Sequence, residues 1–96
     1  DYRIACQKFI EERERFYNEL TNINFLRVIP SQANYFLCEV TNRYTSTELV
    51  ELLLKHNILL KDCYNKAGFN GSNYVRIAIR DKKDNNYLID ILKLCQ

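Results

Sequence analysis

The amino-acid sequence predicts an α+β fold, a two-layer sandwich in which a small, mostly antiparallel sheet carries helices on one face. Helical and strand-like periodicities follow one another in the order α-β-β-α-β-β-α, which favours this class. The chain has 96 residues, a length typical of one domain, and no internal repeat or low-complexity linker divides it. Hydrophobic residues make up 47% of the sequence, so the chain can build a core.

The first half of the chain begins with a helix and two strands. Apolar side chains recur at helical spacing over residues 2–20, which predicts an amphipathic helix. Short apolar runs at 25–28 and 34–40 predict two strands. Pro30 lies between them and separates the two runs.

A second helix and a third strand are predicted next. Thr45 and Glu48 fit a capping box at the start of the segment "TSTELVELLLKHN". Asn57 can end this helix in a left-handed conformation. The apolar run at 58–61 then predicts a short strand.

The last third of the sequence combines a loop, a strand and a helix. The predicted loop over 62–72 contains both glycines of the chain, Gly68 and Gly71. Strict alternation over 73–80 predicts a half-buried strand. Asp84 is expected to cap the final helix, whose apolar side chains lie on one side.

The face of the sheet that lies away from the helices carries the most informative charges. Arg76 and Arg80 occupy the polar side of the strand at 73–80, so that this face meets either water or an anionic group. A broad apolar sheet face is costly to leave in water. We therefore expect this open face, with Phe36 and Val40 also on it, to meet another domain.

Composition excludes several classes of function. The chain has 14 basic and 12 acidic residues and a net charge of +2, a balance that argues against a nucleic-acid-binding protein. No run of eighteen apolar residues is present, so no membrane span is predicted. The sequence begins without a signal-peptide pattern, which favours a cytoplasmic location.

The four cysteines do not have the spacing of a metal site. Cys6, Cys38, Cys63 and Cys95 form no C-x-x-C pair, and His56 is the single histidine. This pattern argues against zinc and favours buried, reduced thiols. No catalytic residue and no cofactor-binding residue is predicted within the chain.

Three segments together resemble a known family. They are "PSQANYFL" at 30–37, "NILLKDC" at 57–63 and "NYVRIAIRDKKDN" at 73–85. Their order and spacing are similar to the C-terminal small domain of fold type I, pyridoxal-phosphate-dependent aminotransferases. The histidinol-phosphate aminotransferases and the related threonine-phosphate decarboxylases are the most similar group. The resemblance covers nearly the whole chain.

The resemblance implies a part of a larger enzyme. Residues 1–96 are expected to be one domain excised from a longer, homodimeric aminotransferase. In that family the large domain holds pyridoxal 5'-phosphate and the Schiff-base lysine, and the small domain covers the substrate. The fragment alone is therefore expected to bind no cofactor and to be inactive. Its implied partners are the large domain and a small anionic amino-acid substrate, without nucleic acid or membrane.

The resemblance also names three candidate substrate-binding residues. Arg76 matches the family's arginine in the strand after the glycine-containing loop, which binds a substrate anion. Lys61 matches a position where histidinol-phosphate enzymes usually carry an arginine that binds the substrate phosphate. Lysine keeps the charge without the planar fork, which leaves another acidic amino donor, a phosphonate or a sugar-pathway amine as open as histidinol phosphate. Asn34 matches the family's "PS-x-A-N" position, where backbone hydrogen bonding at the strand start is an alternative role.

Two other classes of protein remain as alternatives. The first is a free-standing, ferredoxin-like module that binds an amino acid as a regulatory signal. The second is a binder of single-stranded RNA with a similar topology. An RNA binder requires exposed aromatic residues on a central strand and a stronger positive charge, and the strand at 73–80 offers Tyr74 alone.

Overall fold

A computed structural model describes residues 2–63 and 73–96 of the chain. The predicted order of elements is confirmed in this part. The elements are α1 (Tyr2–Thr21), β1 (Leu26–Ile29), β2 (Tyr35–Val40), α2 (Ser46–Leu54), β3 (Lys61–Asp62), β4 (Tyr74–Ala78) and α3 (Lys82–Leu94). The predicted glycine-containing loop at 62–72 lies outside the described residues from position 64 onwards, including Gly68 and Gly71.

The described strands form one four-stranded sheet in the order β1-β2-β4-β3. Each of the three pairings is antiparallel. In the central pairing, Phe36 lies opposite Ile77 and Cys38 lies opposite Val75. The predicted α+β class with a small antiparallel sheet is therefore confirmed.

The core lies between one face of this sheet and the three helices. Side chains from both central strands and from all three helices join in one buried cluster. Burial of such apolar surface is the main favourable term in folding. The innermost members include Phe16, Leu20, Phe36, Cys38, Leu49, Leu53, Val75, Ile77 and Leu92.

The open face of the sheet differs from the expectation in one respect. Phe36 and Val40 were expected on it, but they are buried at 1% and 4% exposure on the helix side. Successive side chains of a strand point to opposite faces, and Phe36 lies opposite the core residue Ile77. The residues of β2 on the open face are instead Tyr35, Leu37 and Glu39, which are half-buried.

Helix ends follow the local signals closely. Thr45 Oγ1 accepts from the Glu48 backbone N–H at 3.1 Å, and Glu48 Oε1 accepts from the Thr45 N–H at 2.8 Å. This confirms the predicted capping box. Asn57 has a φ of 63°, which confirms the predicted left-handed residue after α2. The prediction of Asp84 as the N-cap of α3 was wrong. The N-cap is Asp81, three residues earlier, whose Oδ1 accepts from the Asp84 N–H at 2.8 Å.

The third strand begins later than its apolar run predicts. Among the described residues, Lys61 and Asp62 form the strand that pairs with β4, and the Cys63 N–H donates to the Tyr74 carbonyl at 2.9 Å, although the strand was predicted over 58–61. The backbone N–H of Ile58 donates to the carbonyl of Leu53 at 3.1 Å and so belongs to the end of α2. An apolar run shows that a segment is buried, but it does not show where its backbone hydrogen bonds go.

A buried asparagine joins three elements at one end of the sheet. Asn85 of α3 is 1% exposed, and its amide donates to Glu12 Oε2 of α1 at 2.8 Å. The same amide donates to the Arg80 carbonyl at 2.9 Å, and its oxygen accepts from the Arg80 N–H at 3.0 Å. These hydrogen bonds satisfy the backbone of the chain as it leaves β4.

We predict that Asn85→Ala lowers the free energy of unfolding by about 2 kcal/mol, because it removes a buried side chain and leaves the backbone N–H and carbonyl of Arg80 without their partner. Chemical denaturation measures this difference. Asn86→Ala is the matched control, since Asn86 is exposed on the same helix and should change stability by about 0.5 kcal/mol or less. Equal effects of both substitutions would contradict the structural role of Asn85.

We also predict that the ion pair between Glu12 and Arg15 makes stability depend on pH. Hydrogen bonds from Arg15, at 2.7 and 2.8 Å, lower the pKa of Glu12 below its ordinary value of 4.5, against the opposing effect of burial. A depressed carboxyl pKa stabilises the fold above the ordinary value, and this contribution is lost as the pH falls through the lowered pKa. The stability advantage over Glu12→Gln should therefore be full at pH 7 and shrink below about pH 4.5. An advantage that is constant down to pH 3 would contradict this account, and Glu14→Gln on the exposed side of α1 is the control.

Candidate functional site

The open face of the sheet carries a mixture of charged, aromatic and small side chains. They come from the strand positions that alternate with the core residues, so they share one side of the sheet. By register these residues are Arg27 and Ile29 of β1, Tyr35, Leu37 and Glu39 of β2, Lys61 of β3, and Tyr74, Arg76 and Ala78 of β4.

Arg76 lies at the centre of this face, on an inner strand. Leu37 of β2 is its neighbour on one side and Lys61 of β3 is its neighbour on the other. The guanidinium carbon of Arg76 lies 3.9 Å from the centroid of the Tyr35 ring, which is a close cation–π contact. The guanidinium of Arg76 therefore packs over the face of an aromatic ring.

Arg76 differs from Arg27 and Arg80 in its partners. Arg27 Nε donates to Glu39 Oε1 at 2.7 Å, and Arg80 Nε donates to Asp84 Oδ2 at 2.9 Å. Within residues 2–63 and 73–96, Arg76 has no carboxylate within ion-pair distance. Its guanidinium is therefore the one among these three that can take an external anion without first breaking an ion pair.

The structure tests two expectations for Arg80, its ion pair and its place on the face of the strand. The sequence allows Arg80 an ion pair with Asp81 or Asp84, and the structure shows the pair with Asp84. The prediction that Arg80 shares a strand face with Arg76 is wrong, because β4 ends at Ala78. Beyond that point the backbone of Arg80 turns to bond with Asn85.

A shallow pocket of about 580 Å³ opens beside Arg76 on this face. The structure thus brings two of the three predicted site residues, Arg76 and Lys61, to one pocket. Ala78 lies opposite Tyr35, and its small side chain leaves space there. The residues that line the pocket are Tyr35, Leu59, Leu60, Lys61, Asp62, Arg76 and Ala78.

Asp62 holds the short strand that carries Lys61. Its two carboxylate oxygens accept from the hydroxyl groups of Ser46 at 2.8 Å and Thr47 at 2.6 Å. Both donors lie in the first turn of α2, where a negative charge is favourable to the helix dipole. The position of Lys61 at the sheet edge therefore depends on the attachment of β3 to α2.

Asn34 lies apart from this pocket. Its backbone carbonyl accepts from the Ile79 N–H at 2.9 Å, which extends the pairing of β2 and β4 by one hydrogen bond. It is not among the residues that line the pocket of Arg76. Its assignment to the substrate therefore stays a prediction.

Tyr35 is the site residue that sequence reasoning missed. It is not among the three candidate residues that the resemblance names, whereas the structure places its ring against Arg76. The relevant signal is the register: Tyr35 pairs with Ala78, so it lies diagonal to Arg76. That register cannot be obtained from either strand alone.

The cysteines do not form part of the pocket. All four are free thiols; Cys38 and Cys63 are buried, whereas Cys6 and Cys95 are partly exposed. Burial raises the pKa of the Cys38 thiol to about 12, so this thiol stays protonated near neutral pH.

None of the helices in the described ranges combines the length and the apolar character that a membrane span requires.

Comparison with known proteins identifies the class. The family model "Aminotransferase class I and II" matches residues 5–92, and the chain belongs to this family. The match includes the strands that hold Lys61 and Arg76. It confirms the resemblance that the three sequence segments indicate.

Two relatives within this family illustrate the similarity of sequence. The chain is 39% identical over 83 residues to the histidinol-phosphate aminotransferase of Methanococcus maripaludis strain C5, covering 86% of this chain and 22% of the relative. It is 31% identical over 90 residues to an L-serine phosphate decarboxylase of Campylobacter jejuni, covering 93% of this chain and 23% of the relative.

Solved structures agree with this comparison. The histidinol-phosphate aminotransferase from Clostridium acetobutylicum superimposes with a TM-score of 0.81 at 38% identity, covering 86% of this chain and 25% of that chain. The L-threonine-O-3-phosphate decarboxylase from Porphyromonas gingivalis gives 0.80 at 27% identity, covering 92% and 27%. The chain thus spans about a quarter of the length of these relatives.

The aminotransferase class I and II family depends on pyridoxal phosphate in general, and binding of the cofactor phosphate requires a cradle of hydrogen-bond donors. Helix N-termini are common phosphate sites. The first turn of α2 already donates its hydroxyls to Asp62, and the first turn of α3 donates a backbone N–H to Asp81. Within residues 2–63 and 73–96, the starts of α2 and α3 therefore do not fit the cofactor phosphate.

We predict that Asp62→Ala detaches β3 from α2 and loosens Lys61. The substitution removes two hydrogen bonds to a carboxylate, so it should lower the free energy of unfolding by about 1.5–3 kcal/mol. Hydrogen–deuterium exchange should become faster at the amides of residues 61–63. Glu51→Ala, an exposed change on α2, should leave this exchange unaltered. Unchanged exchange in Asp62→Ala would contradict the attachment.

Proposed function

We propose that this chain is the substrate-covering small domain of a longer, pyridoxal-phosphate-dependent aminotransferase. In this proposal Arg76 binds the carboxylate, or another anionic group, of a small amino-acid substrate. One observation carries the assignment: a central arginine on the open sheet face that has no ion-pair partner among the described residues and borders a pocket. Family membership favours this enzyme role over a regulatory module or an RNA binder.

The chemistry of Arg76 suits a carboxylate. A guanidinium presents parallel N–H donors that match the two oxygens of a carboxylate, and it stays charged at all physiological pH values. Arg76 is half-buried, so part of its hydration is already lost before an anion arrives. Water exclusion by a covering domain would strengthen the contact further.

Lys61 supplies a second positive charge to the same substrate region. It lies directly opposite Arg76 across the β3–β4 pairing. Side chains at directly opposed positions on one face lie close enough together to contact the same ligand. We therefore propose that Lys61 contacts the same anionic substrate as Arg76, as a point charge rather than a planar fork.

The names of the relatives support a phosphorylated amine as the substrate class. Histidinol phosphate, L-serine phosphate and L-threonine-O-3-phosphate each carry an amine and a phosphate ester. A substrate with a phosphate and a carboxylate presents two anionic groups, which matches two cations. We extend this class to the present chain as a proposal, with Asn34 as a further candidate contact.

The remaining parts of the proposal concern the protein beyond this domain. Because the described helix starts do not fit the cofactor phosphate, we assign the cofactor and its lysine to the large domain of a homodimeric, cytoplasmic parent enzyme. The residues of this chain bind and orient the substrate and exclude water from it. Half-buried Leu37 and exposed Leu59 offer apolar surface beside the pocket for that exclusion.

We predict that Arg76→Ala in the full-length enzyme lowers kcat/KM by about 30-fold to several-thousand-fold. This range corresponds to about 2–5 kcal/mol for a charge-assisted contact in a closed site. Arg76→Lys should cost less, because it keeps the charge and loses only the fork. The measurement uses L-glutamate, O-phospho-L-serine and O-phospho-L-threonine as amino donors.

Arg80→Ala is the matched control for this prediction, because Arg80 is a neighbouring arginine that pairs with Asp84. It should change kcat/KM by about 3-fold or less, in line with a small surface effect. Cofactor content should stay the same in all variants. Equal losses for Arg76→Ala and Arg80→Ala, or loss of cofactor from the Arg76 variants, would contradict the proposal.

A further inference from the structure

The contact between Tyr35 and Arg76 carries an inference about how the substrate arginine is held. We infer that Tyr35 is a positioning residue, which orders the Arg76 guanidinium before the substrate anion arrives. The inference rests on the proposed function of Arg76. It assigns Tyr35 a role in affinity for the anion that acts through Arg76.

The register of the sheet creates this contact. Tyr35 lies opposite Ala78, while Leu37 lies opposite Arg76. Tyr35 and Arg76 are therefore diagonal neighbours on one face, a spacing that aromatic and long side chains can bridge. Because Ala78 is small, the ring has room to approach the guanidinium, and the separation from ring centroid to guanidinium carbon is 3.9 Å.

The kind of contact decides what remains available for the substrate. A cation over an aromatic ring is held by the quadrupole of the ring, so the contact uses no N–H donor. By contrast, the N–H groups of Arg27 are engaged by Glu39 at 2.7 Å and by the Tyr74 hydroxyl at 3.0 Å. Tyr35 can thus restrain Arg76 while leaving its hydrogen-bonding edges free for a carboxylate.

Restraint before binding has an energetic consequence. An unrestrained arginine loses rotamer freedom when it binds an anion, and that loss weakens binding. A guanidinium that already rests on a ring loses less. The contribution of Tyr35 should therefore appear only when Arg76 is present, whereas a purely structural tyrosine would matter equally with or without Arg76.

A double-mutant cycle in the full-length holoenzyme tests this. Tyr35→Leu and Tyr35→Phe are each made in the wild-type and Arg76→Ala backgrounds. kcat/KM is measured with whichever of L-glutamate, O-phospho-L-serine and O-phospho-L-threonine is the best donor. Thermal unfolding and cofactor content verify that each variant is folded and loaded.

We expect Tyr35→Leu to lower kcat/KM by about 5- to 30-fold in the wild-type background, mainly through KM, from the usual strength of a partly desolvated cation–π contact. Tyr35→Phe keeps the ring and should stay within about 2-fold of wild type. In the Arg76→Ala background, Tyr35→Leu should cost about 2-fold or less.

The outcomes separate this inference from the proposed function. If Arg76→Ala is costly but Tyr35→Leu costs the same in both backgrounds, or nothing in the wild type, the positioning role is overturned and the proposed function stands. A loss in Tyr35→Phe as large as in Tyr35→Leu also overturns it, because the ring would then be irrelevant. If Arg76→Ala costs nothing, the proposed function itself is overturned.

Discussion

The pairing of β2 with β4 is the constraint on which the rest of the structure depends. Its register sends Phe36 and Ile77 into the core, and it leaves Tyr35 and Arg76 on the open face. Because side chains alternate strictly, a slip of one residue would bury Arg76 and expose Ile77. The burial of the core residues therefore also fixes which side chains lie on the open face, so the fold and the geometry of the candidate site have one cause.

The edge of the sheet depends on a different kind of interaction. The two-residue strand β3 has little backbone pairing of its own, and Asp62 ties it to the first turn of α2. That turn is itself fixed by the capping box of Thr45 and Glu48. The capping box therefore affects the candidate site indirectly. It fixes the first turn of α2, this turn binds the Asp62 carboxylate, and Asp62 holds the strand in which Lys61 lies opposite Arg76.

Sequence reasoning succeeded for two local signals at the ends of α2. The capping box at Thr45 and the left-handed Asn57 depend on neighbours within a few residues, and both were predicted correctly. The start of β3 was not, because the apolar run could not show that Ile58 bonds to the end of α2. The contact of Tyr35 with Arg76 joins residues 41 positions apart and exists only through the register, so composition and periodicity could not reveal it.

The charges of the open face divide into two groups with different consequences. Arg27 is paired with Glu39, and this pairing, through the hydrogen bond from the guanidinium, raises the pKa of Arg27. Such a pair neutralises itself and has little attraction left for a ligand. Arg76 is instead held by a neutral ring, so its full charge remains directed at whatever covers the sheet. The choice of an aromatic partner rather than an acidic one is what makes this arginine, among those of the sheet, suited to bind an incoming anion.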